Sequence, residues 1–420
     1  EQINQSIPYL LKDLKKQFKQ LEVEIDNHLK RSDGFITWDE LMVPLADIGE
    51  RLRWSWGLIS HLNGVCNSQE LREAHATQQP EIVRFSNLLG QSKKLYKGLC
   101  SLRDQNIQNL NATQERILKS EILSMDQRGV GLNGDKQSIF NSNCERIAKL
   151  STNFSNNVLD ATQGWSLLLN HKSEIDGLPK RSLKAYASAA QAAGDLHQQS
   201  KKKASTNEGP WRVGLDMPSY ISFMTYATNR SLRERLYKAH ISRASKGNLN
   251  NQPLIEEILV LRQKQAQLLG YKNWAEVSLT NKMAKNIDAV EKLLEELRLA
   301  AMPAAKRDHQ DLQAFAIQNG FPKDQELAPW DISFWSEQLK KQRFDLDQES
   351  LRPWFPLPEV LNGLFRLCER LFSISISSAD GEAPIWHKDV QFFKVFDKDN
   401  SQLASFFLDP YSRPSSKRGG

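Results

Sequence analysis

Apolar residues recur every three or four positions over long stretches of this chain, the period of an α-helix with one buried face. Ile7, Leu11, Leu14, Phe18, Leu21, Ile25 and Leu29 form the first such stripe, with Lys and Glu between them. Ser6 can cap this helix and Pro8 suits its first turn. Phe140, Cys144, Ile147, Phe154, Val158 and Ala161 mark a second long helix. Pro253 opens a third, with Leu254, Ile258, Leu261 and Leu268 on one side, and Gly270 is placed to end it in the left-handed conformation. Val290, Leu293, Leu294 and Leu297 repeat the pattern, with Asn286 as the cap.

Strand patterns are short and local. Ser166–Asn170 and Trp211–Leu215 are apolar runs bounded by Gly and Pro, and they flank an Ala-rich helical stretch, Leu183–Ala193, and a polar linker, Gln198–Gly209. A hairpin or small sheet is expected there. Near the C-terminus, Val390, Phe392 and Val395 are separated from Leu403, Phe406 and Leu408 by Asp397-Lys398-Asp399-Asn400, which reads as the turn of a β-hairpin. Phe321–Pro358 is rich in Trp, Phe and Pro and reads as a connector of loop and helix whose aromatics, Trp330, Trp335 and Trp354, pack in a core. No internal repeat has a fixed period, which argues against a solenoid. The fold class expected is mainly α, with small β-hairpin elements near 166–215 and 390–408. The expected division is a helical domain over 1–150 and a mixed, mostly helical continuation over 151–420.

Composition narrows the class without naming a chemistry. The chain has 420 residues, 40% apolar and 25% charged, with a formal net charge of +6. Both signs are interspersed, and the densest local basic runs, Lys201-Lys202-Lys203 and Ser416-Lys417-Arg418, are short, so no nucleic-acid stripe is expected. The four cysteines, Cys66, Cys100, Cys144 and Cys368, have no C-x-x-C spacing and fit a reducing compartment. No run reaches the roughly 18 apolar residues of a membrane span. Residue 1 is not Met and falls just before a helix, and Lys417-Arg418-Gly419-Gly420 forms no polar tail, so the chain is expected to be a portion of a longer one.

The chemistry-bearing motifs are absent. A zinc peptidase helix needs two His one turn apart with a Glu beside the first, so that both imidazoles reach one ion and the carboxylate activates its water. The eight histidines, His28, His61, His75, His171, His197, His240, His309 and His387, include no such pair, and none is followed by Glu. There is no G-x-x-x-x-G-K-[ST] loop, no G-x-S-x-G elbow and no dinucleotide fingerprint. Each lone histidine reads as a surface or satisfied core residue, and no spacing singles out one pair among the 50 carboxylates.

Several segments, in order, carry a resemblance. Ser155-Asn156-Asn157-Val158-Leu159-Asp160-Ala161-Thr162 resembles an "S-x-N-V-L-D-A-T" stretch, Asp216-Met217-Pro218-Ser219-Tyr220 a "D-x-P-S-Y" segment, and Ser242-Arg243-Ala244-Ser245 an "S-R-A-S". Leu268-Leu269-Gly270-Tyr271 with Asn273-Trp274-Ala275 is similar to "L-L-G-[FY]-x-N-[YW]-A", Leu351-Arg352-Pro353 with Phe355-Pro356 to "L-R-P-[YW]-F", and Asn362-Gly363-Leu364-Phe365 to "N-G-L-F". Leu408-Asp409-Pro410-Tyr411-Ser412-Arg413-Pro414 with Lys417-Arg418-Gly419-Gly420 matches "D-P-Y-S-R-P-x-x-K-R-G-G". Together they resemble the oligopeptidase A branch, including its plant organellar members, of the thimet oligopeptidase family.

The resemblance implies the long-helix lobe of a two-lobed zinc metallo-oligopeptidase, which cuts short peptides, including cleaved signal or targeting peptides, in a deep narrow channel. In that family the His-Glu-x-x-His helix lies beyond the "R-G-G" segment. No catalytic or metal-binding residue is therefore carried over, zinc is expected in the full-length protein and not on this chain, and the chain by itself is expected to be inactive. The implied partners are short peptides and the C-terminal catalytic region, with no nucleic acid and no membrane. The implied location is the cytoplasm, or an organelle lumen such as the chloroplast stroma or mitochondrial matrix. Helices of residues 1 to about 160 would form a channel wall, and the C-terminal hairpin is the part expected to meet substrate, because an extended peptide can pair with a strand edge.

Asp409, Tyr411, Arg413 and Arg418 are the candidate cleft lining, the alternative being a turn held by a structural Arg–Asp pair. Gly419 and Gly420 are candidates for a loop that approaches substrate closely, the alternative being a plain turn. Asn157 and Asp160 read as helix braces, Pro218 and Tyr220 as a turn after a strand, and Arg243 as an inter-helix anchor. Two other functional classes stay open: a non-catalytic helical protein that binds peptides, and a structural scaffold.

Overall fold

The computed structural model describes residues 2–31, 36–106, 110–197 and 201–418. The chain begins with six helices, α1 (Gln2–Leu29), α2 (Trp38–Val65), α3 (Gln69–Gly90), α4 (Lys93–Asn106), α5 (Ala112–Gln127) and α6 (Gly134–Gln163). Strand β1 (Ser166–Leu169), helix α7 (Lys180–Ala192) and strand β2 (Trp211–Gly214) come next. Then come α8 (Met217–Tyr226), α9 (Arg230–Ile241), α10 (Gln252–Leu268), α11 (Trp274–Leu279), α12 (Ile287–Gln318), α13 (Pro329–Phe344), α14 (Gln348–Leu351) and α15 (Leu357–Phe372). Strands β3 (Ser375–Ser378), β4 (Gln391–Phe396) and β5 (Gln402–Leu408) close the sequence of elements. They form two compact units, one of Glu1–Val158 with Ser245–Leu299, the other of Leu159–Ala244 with Ala300–Gly420.

In the first unit the stripe on α1 is the core. Ile7, Leu11, Leu14, Phe18, Leu21 and Ile25 are buried against α2, α3 and α4, together with Leu41, Phe85, Leu99 and Leu102. Side chains satisfy the amides that helix starts leave free. Thr37 Oγ1 accepts from the Glu40 amide at 3.3 Å while the Glu40 carboxylate accepts from the Thr37 amide at 2.9 Å, a reciprocal capping box. Asn111 and Gln114 form the same reciprocal box at α5, and the Ser68 hydroxyl caps α3 by accepting from the Leu71 amide. Ser6 does not cap α1: the helix starts four residues earlier, and the Ser6 hydroxyl donates back to the Gln2 carbonyl at 2.8 Å, leaving Pro8 inside the helix. Asn286 does cap α12, its Oδ1 accepting from the Ala289 amide at 2.9 Å. Gly270 ends α10 at φ +86°, and the Tyr271 amide reaches back to the Ala266 carbonyl at 2.9 Å. The helical period at 290–297 is real, but its stripe is not core: Leu293, Leu294 and Leu297 are more than half exposed. Periodicity reports the helix and leaves open whether anything covers its apolar face.

In the second unit β1 and β2 pair antiparallel, Ser166 opposite Gly214 and Leu169 opposite Trp211, with α7 inserted between them in sequence. Leu167, Leu169, Trp211 and Val213 are buried on one face, against Tyr186 of α7, Phe223 of α8 and Leu236 of α9. Gly177 (φ +83°) lets the chain pass α8, because a Cβ there would sit 2.3 Å from the Tyr226 carbonyl oxygen. The segment 216–220 is a helix start rather than a turn: Asp216 caps α8 by accepting from the Ser219 amide at 3.2 Å, and Pro218 occupies its first turn, where no amide is needed. Trp330 and Trp335 pack as core aromatics, but Trp354 is 80% exposed.

The expected C-terminal hairpin is present as β4 and β5, with Phe392 opposite Phe407 and Phe393 opposite Phe406. A third strand, β3, adds to β4 and makes the order β3-β4-β5. Phe365 of α15 covers one face through Phe393 and Phe406, with centroids at 5.0 and 6.1 Å. Trp386 and Phe392 pack on Phe407 on the other face.

A buried ion cluster joins α9 to the first turn of α13. Asp331 is fully buried and accepts from Arg230 at 2.8–3.0 Å, from Arg233 at 3.1 Å and from the Ala328 amide at 3.1 Å. Arg233 is 2% exposed and also donates to the carbonyls of Trp330, Ala227 and Thr228. Asp331→Asn removes the charge that two guanidinium groups converge on. It is expected to lower unfolding free energy by about 3–5 kcal/mol, read by urea denaturation with circular dichroism. A change within error of zero would mean that the cluster contributes no net stability.

Candidate functional site

The segment after β5 is organised by one carboxylate. Arg413 grips Asp409 with two parallel bonds, Nη1 to Oδ1 at 2.6 Å and Nη2 to Oδ2 at 2.7 Å. The Trp386 indole donates to Oδ2 at 3.0 Å. Lys417 Nζ donates to the carbonyls of Asp409 and Tyr411 at 2.9 and 3.1 Å and lies 3.7 Å from Asp409 Oδ1. The amides of Ser416 and Lys417 turn back onto the Arg413 carbonyl. Gln163, at the end of α6, donates to the Pro414 carbonyl at 2.7 Å and ties the loop to that helix.

The side chains of Asp409, Arg413 and Lys417 are about nine-tenths buried. The Arg413 guanidinium, opposed by burial and helped by the Trp386 indole and the charge of Lys417, holds the Asp409 carboxyl down at about 2. At neutral pH such a group is a fixed anion that accepts three hydrogen bonds, suited to positioning and unsuited to donating a proton. Tyr411 is 52% exposed and Arg418 is half-buried. Gly419 and Gly420 lie outside the described residues.

Sequence reasoning brings Asp409 and Arg413 together and misses Trp386 and Lys417. The Trp386 indole N–H needs an acceptor when half-buried, but nothing local signals that it lies 23 residues upstream. β5 itself pairs only with β4 among the described residues, so its second edge is open, and Leu403 and Phe407 stand 56% and 40% exposed on it.

The other singled-out residues lie elsewhere. Asn157 donates to Asn251 Oδ1 at 2.9 Å, bracing the start of α10. Tyr220 stacks on His240 at 4.0 Å, where burial and then the Arg243 charge keep the imidazole below its ordinary value. Arg243 bridges α9 to α6, donating to the His240 carbonyl at 3.0 Å and Thr162 Oγ1 at 3.3 Å. Among the described residues no three or more His, Cys, Asp or Glu side chains are grouped to hold a metal ion, the four cysteines are unpaired, and no helix is long and apolar enough to cross a membrane.

Compared with known proteins, the chain matches two families. The family described as Peptidase family M3 matches residues 223–420, and the family described as the neurolysin/thimet oligopeptidase N-terminal domain matches residues 7–137. The chain is 41% identical to the organellar oligopeptidase A, chloroplastic/mitochondrial, of Arabidopsis thaliana over 419 residues, covering 100% of this chain and 51% of that protein. It is 42% identical to a probable cytosolic oligopeptidase A of the same plant over 403 residues, 96% of this chain and 56% of that protein. It is 38% identical to oligopeptidase A of Escherichia coli (strain K12) over 393 residues, 91% of this chain and 55% of that protein. The chain spans about half the length of the curated relatives it matches.

The Asp409 site has a definite acid signature. Its folded carboxyl titrates near 2, below its ordinary 3.8, so its contribution is complete above that ordinary value and is lost as pH falls through about 2. Wild type is expected to lose on the order of 2 kcal/mol more than Asp409→Asn between about pH 5 and pH 2, measured by urea unfolding across that range. Parallel pH profiles would show that Asp409 has no depressed titration.

Proposed function

We propose that this chain, which belongs to peptidase family M3, is the N-terminal part of a zinc metallo-oligopeptidase and forms the helical side of the channel in which short peptides are held and cut. The observation that carries the reading is continuity. Similarity to proteins named oligopeptidase A runs over nearly all of this chain, and the two family matches fall in order along it.

The zinc that this reading calls for does not fit the described residues, which group no ligand set, so no chemical step is assigned to them. Metal, general base and water activation belong in the proposal to the part of the relatives' length that this chain does not span. What this chain contributes is binding and exclusion. A narrow channel walled by long helices admits a flexible peptide and rejects a folded domain. The open edge of β5 offers backbone groups to an extended substrate. Beside it Tyr411 is the exposed contact, while the Asp409–Arg413 strut sets the path of the loop that, with Arg418, would line the cleft. Four unpaired cysteines suit a reducing compartment, the cytoplasm first and the stroma or matrix as the organellar alternative.

The test uses a quenched fluorogenic peptide. The purified 420-residue chain is expected to show no chelator-sensitive turnover with or without added zinc. A chimera that joins it to the remaining part of the Arabidopsis organellar relative is expected to cleave the peptide and to stop when zinc is chelated. Tyr411→Ala in the chimera is expected to raise KM by about tenfold, about 1.4 kcal/mol of binding, with little change in kcat. Chelator-sensitive turnover by the chain alone, or an inert chimera of normal fold, would reject the reading.

A further inference from the structure

Helix α15 has a wider apolar face than its own unit uses. Leu361, Phe365 and Cys368 are half-buried, and Phe365 meets the β3–β5 sheet through Phe393 and Phe406. The adjacent flank carries Leu357, Val360, Leu364, Leu367 and Leu371, which are 41%, 46%, 49%, 51% and 64% exposed. Their spacing of three, four, three and four residues is the a/d seam of helix-on-helix packing, and it extends about 21 Å along the axis. Phe355 and Phe372, exposed at 66% and 69%, lengthen the patch at both ends. A strip of this kind is convex and lacks the concavity of a small-molecule site, whereas its ridges accept a second helix.

We infer that the outward flank of α15 is a docking face for an amphipathic helix of the metallopeptidase part that the relatives carry beyond the half spanned here. The inference rests on the proposed function for the identity of that partner. Two observations favour this occupant over a second copy of the chain. The relatives have about as much length again to place. Charge also selects against self-pairing. With Leu357, Leu364 and Leu371 as a positions, the g flank carries Gly363 and the exposed Arg370, and the e flank carries the half-buried, uncharged Leu361 and Cys368. In a parallel homodimer Arg370 would face an apolar e position and in an antiparallel one another g position, Pro356, Gly363 or Arg370, so in neither does it meet a carboxylate on the seam's flanks. The partner helix therefore carries an apolar stripe of matching spacing and an acidic residue opposite Arg370.

Hydroxyl-radical footprinting compares the 420-residue chain with its chimera carrying the remainder of the Arabidopsis organellar relative. Oxidation of Leu364 and Leu367 is expected to fall about fivefold in the chimera, as half-exposed side chains become buried. Exposed Tyr9 on α1 serves as the reference and is expected to stay unchanged. Leu364→Asp with Leu367→Asp is expected to leave the melting temperature of the 420-residue chain unchanged and to lower that of the chimera by about 5 °C or more. The chain alone is expected to sediment as a monomer. Equal oxidation in chain and chimera would overturn the inference, and so would a dimer of the chain that the double substitution dissociates. Footprinting does not depend on turnover: protection in an inert chimera would sink the functional reading and leave the docking face standing, and cleavage without protection would do the reverse.

Discussion

A carboxylate removed from water must be met by charge and hydrogen bonds, and this requirement at Asp331 sets the arrangement of the second unit. Arg230 and Arg233 reach it because they lie one turn apart on α9 and present their guanidinium groups to the same point. Arg233 does more than pair. It donates to the Ala227 and Thr228 carbonyls just past the C-terminal end of α8, where helix geometry leaves acceptors unsatisfied, and to the Trp330 carbonyl at the start of α13. One side chain thereby fixes three helices, and those helices carry Phe223, Leu236 and Trp330 against the β1–β2 sheet. Burial pulls the Arg233 guanidinium below its ordinary value while Asp331 pulls it up, so the carboxylate offsets part of the cost of burying that charge.

Features of the fold are legible in the sequence in proportion to how local their physics is. The α1 stripe, the Asn286 cap and the left-handed Gly270 each depend on residues within one or two turns, and each is found where the pattern places it. The hairpin of β4 and β5 is equally local, whereas β3 pairs with β4 across an intervening loop and has no turn to mark it. Asp331 is not legible, because its partners lie about a hundred residues upstream and nothing in a lone Asp or Arg records which one it meets. Ser6 misleads because Ser has two uses near a helix start: it caps when it stands outside the helix, and it bonds back to a carbonyl when it stands within. The segment 216–220 misleads because Asp and Pro open turns and helices alike, and only the residues downstream of them decide between the two.

Asp409 and Asp331 are contrasting solutions to one problem. Asp409 sits four residues from Arg413, so its pairing can be read from the sequence, and its depressed titration comes from that grip. The same fact narrows its chemistry. A carboxylate that accepts twice from Arg413 and once from Trp386, with Lys417 close by and about nine-tenths of its side chain buried, is committed to holding the loop. Its contribution to the proposed cleft is the shape of the loop, in which Tyr411 is the exposed side chain and β5 the edge strand of the sheet.

Exposed apolar surface is distributed unevenly, and the unevenness is informative. Large apolar side chains stand exposed singly on α1 and α3, as a water-facing surface tolerates, but α12, and α15 with its flanks, present them at helical spacing. Single exposed residues cost little and carry no direction. A seam with helical spacing specifies a partner's secondary structure and, through Arg370, one of its charges. A core that closes on itself has no reason to keep such spacing on an outward flank. Two faces of one helix, the first resting on three strands and the second aligned with nothing in its own unit, are the arrangement expected when a helix lies between two layers of a larger fold and only one of those layers belongs to its own segment of the chain.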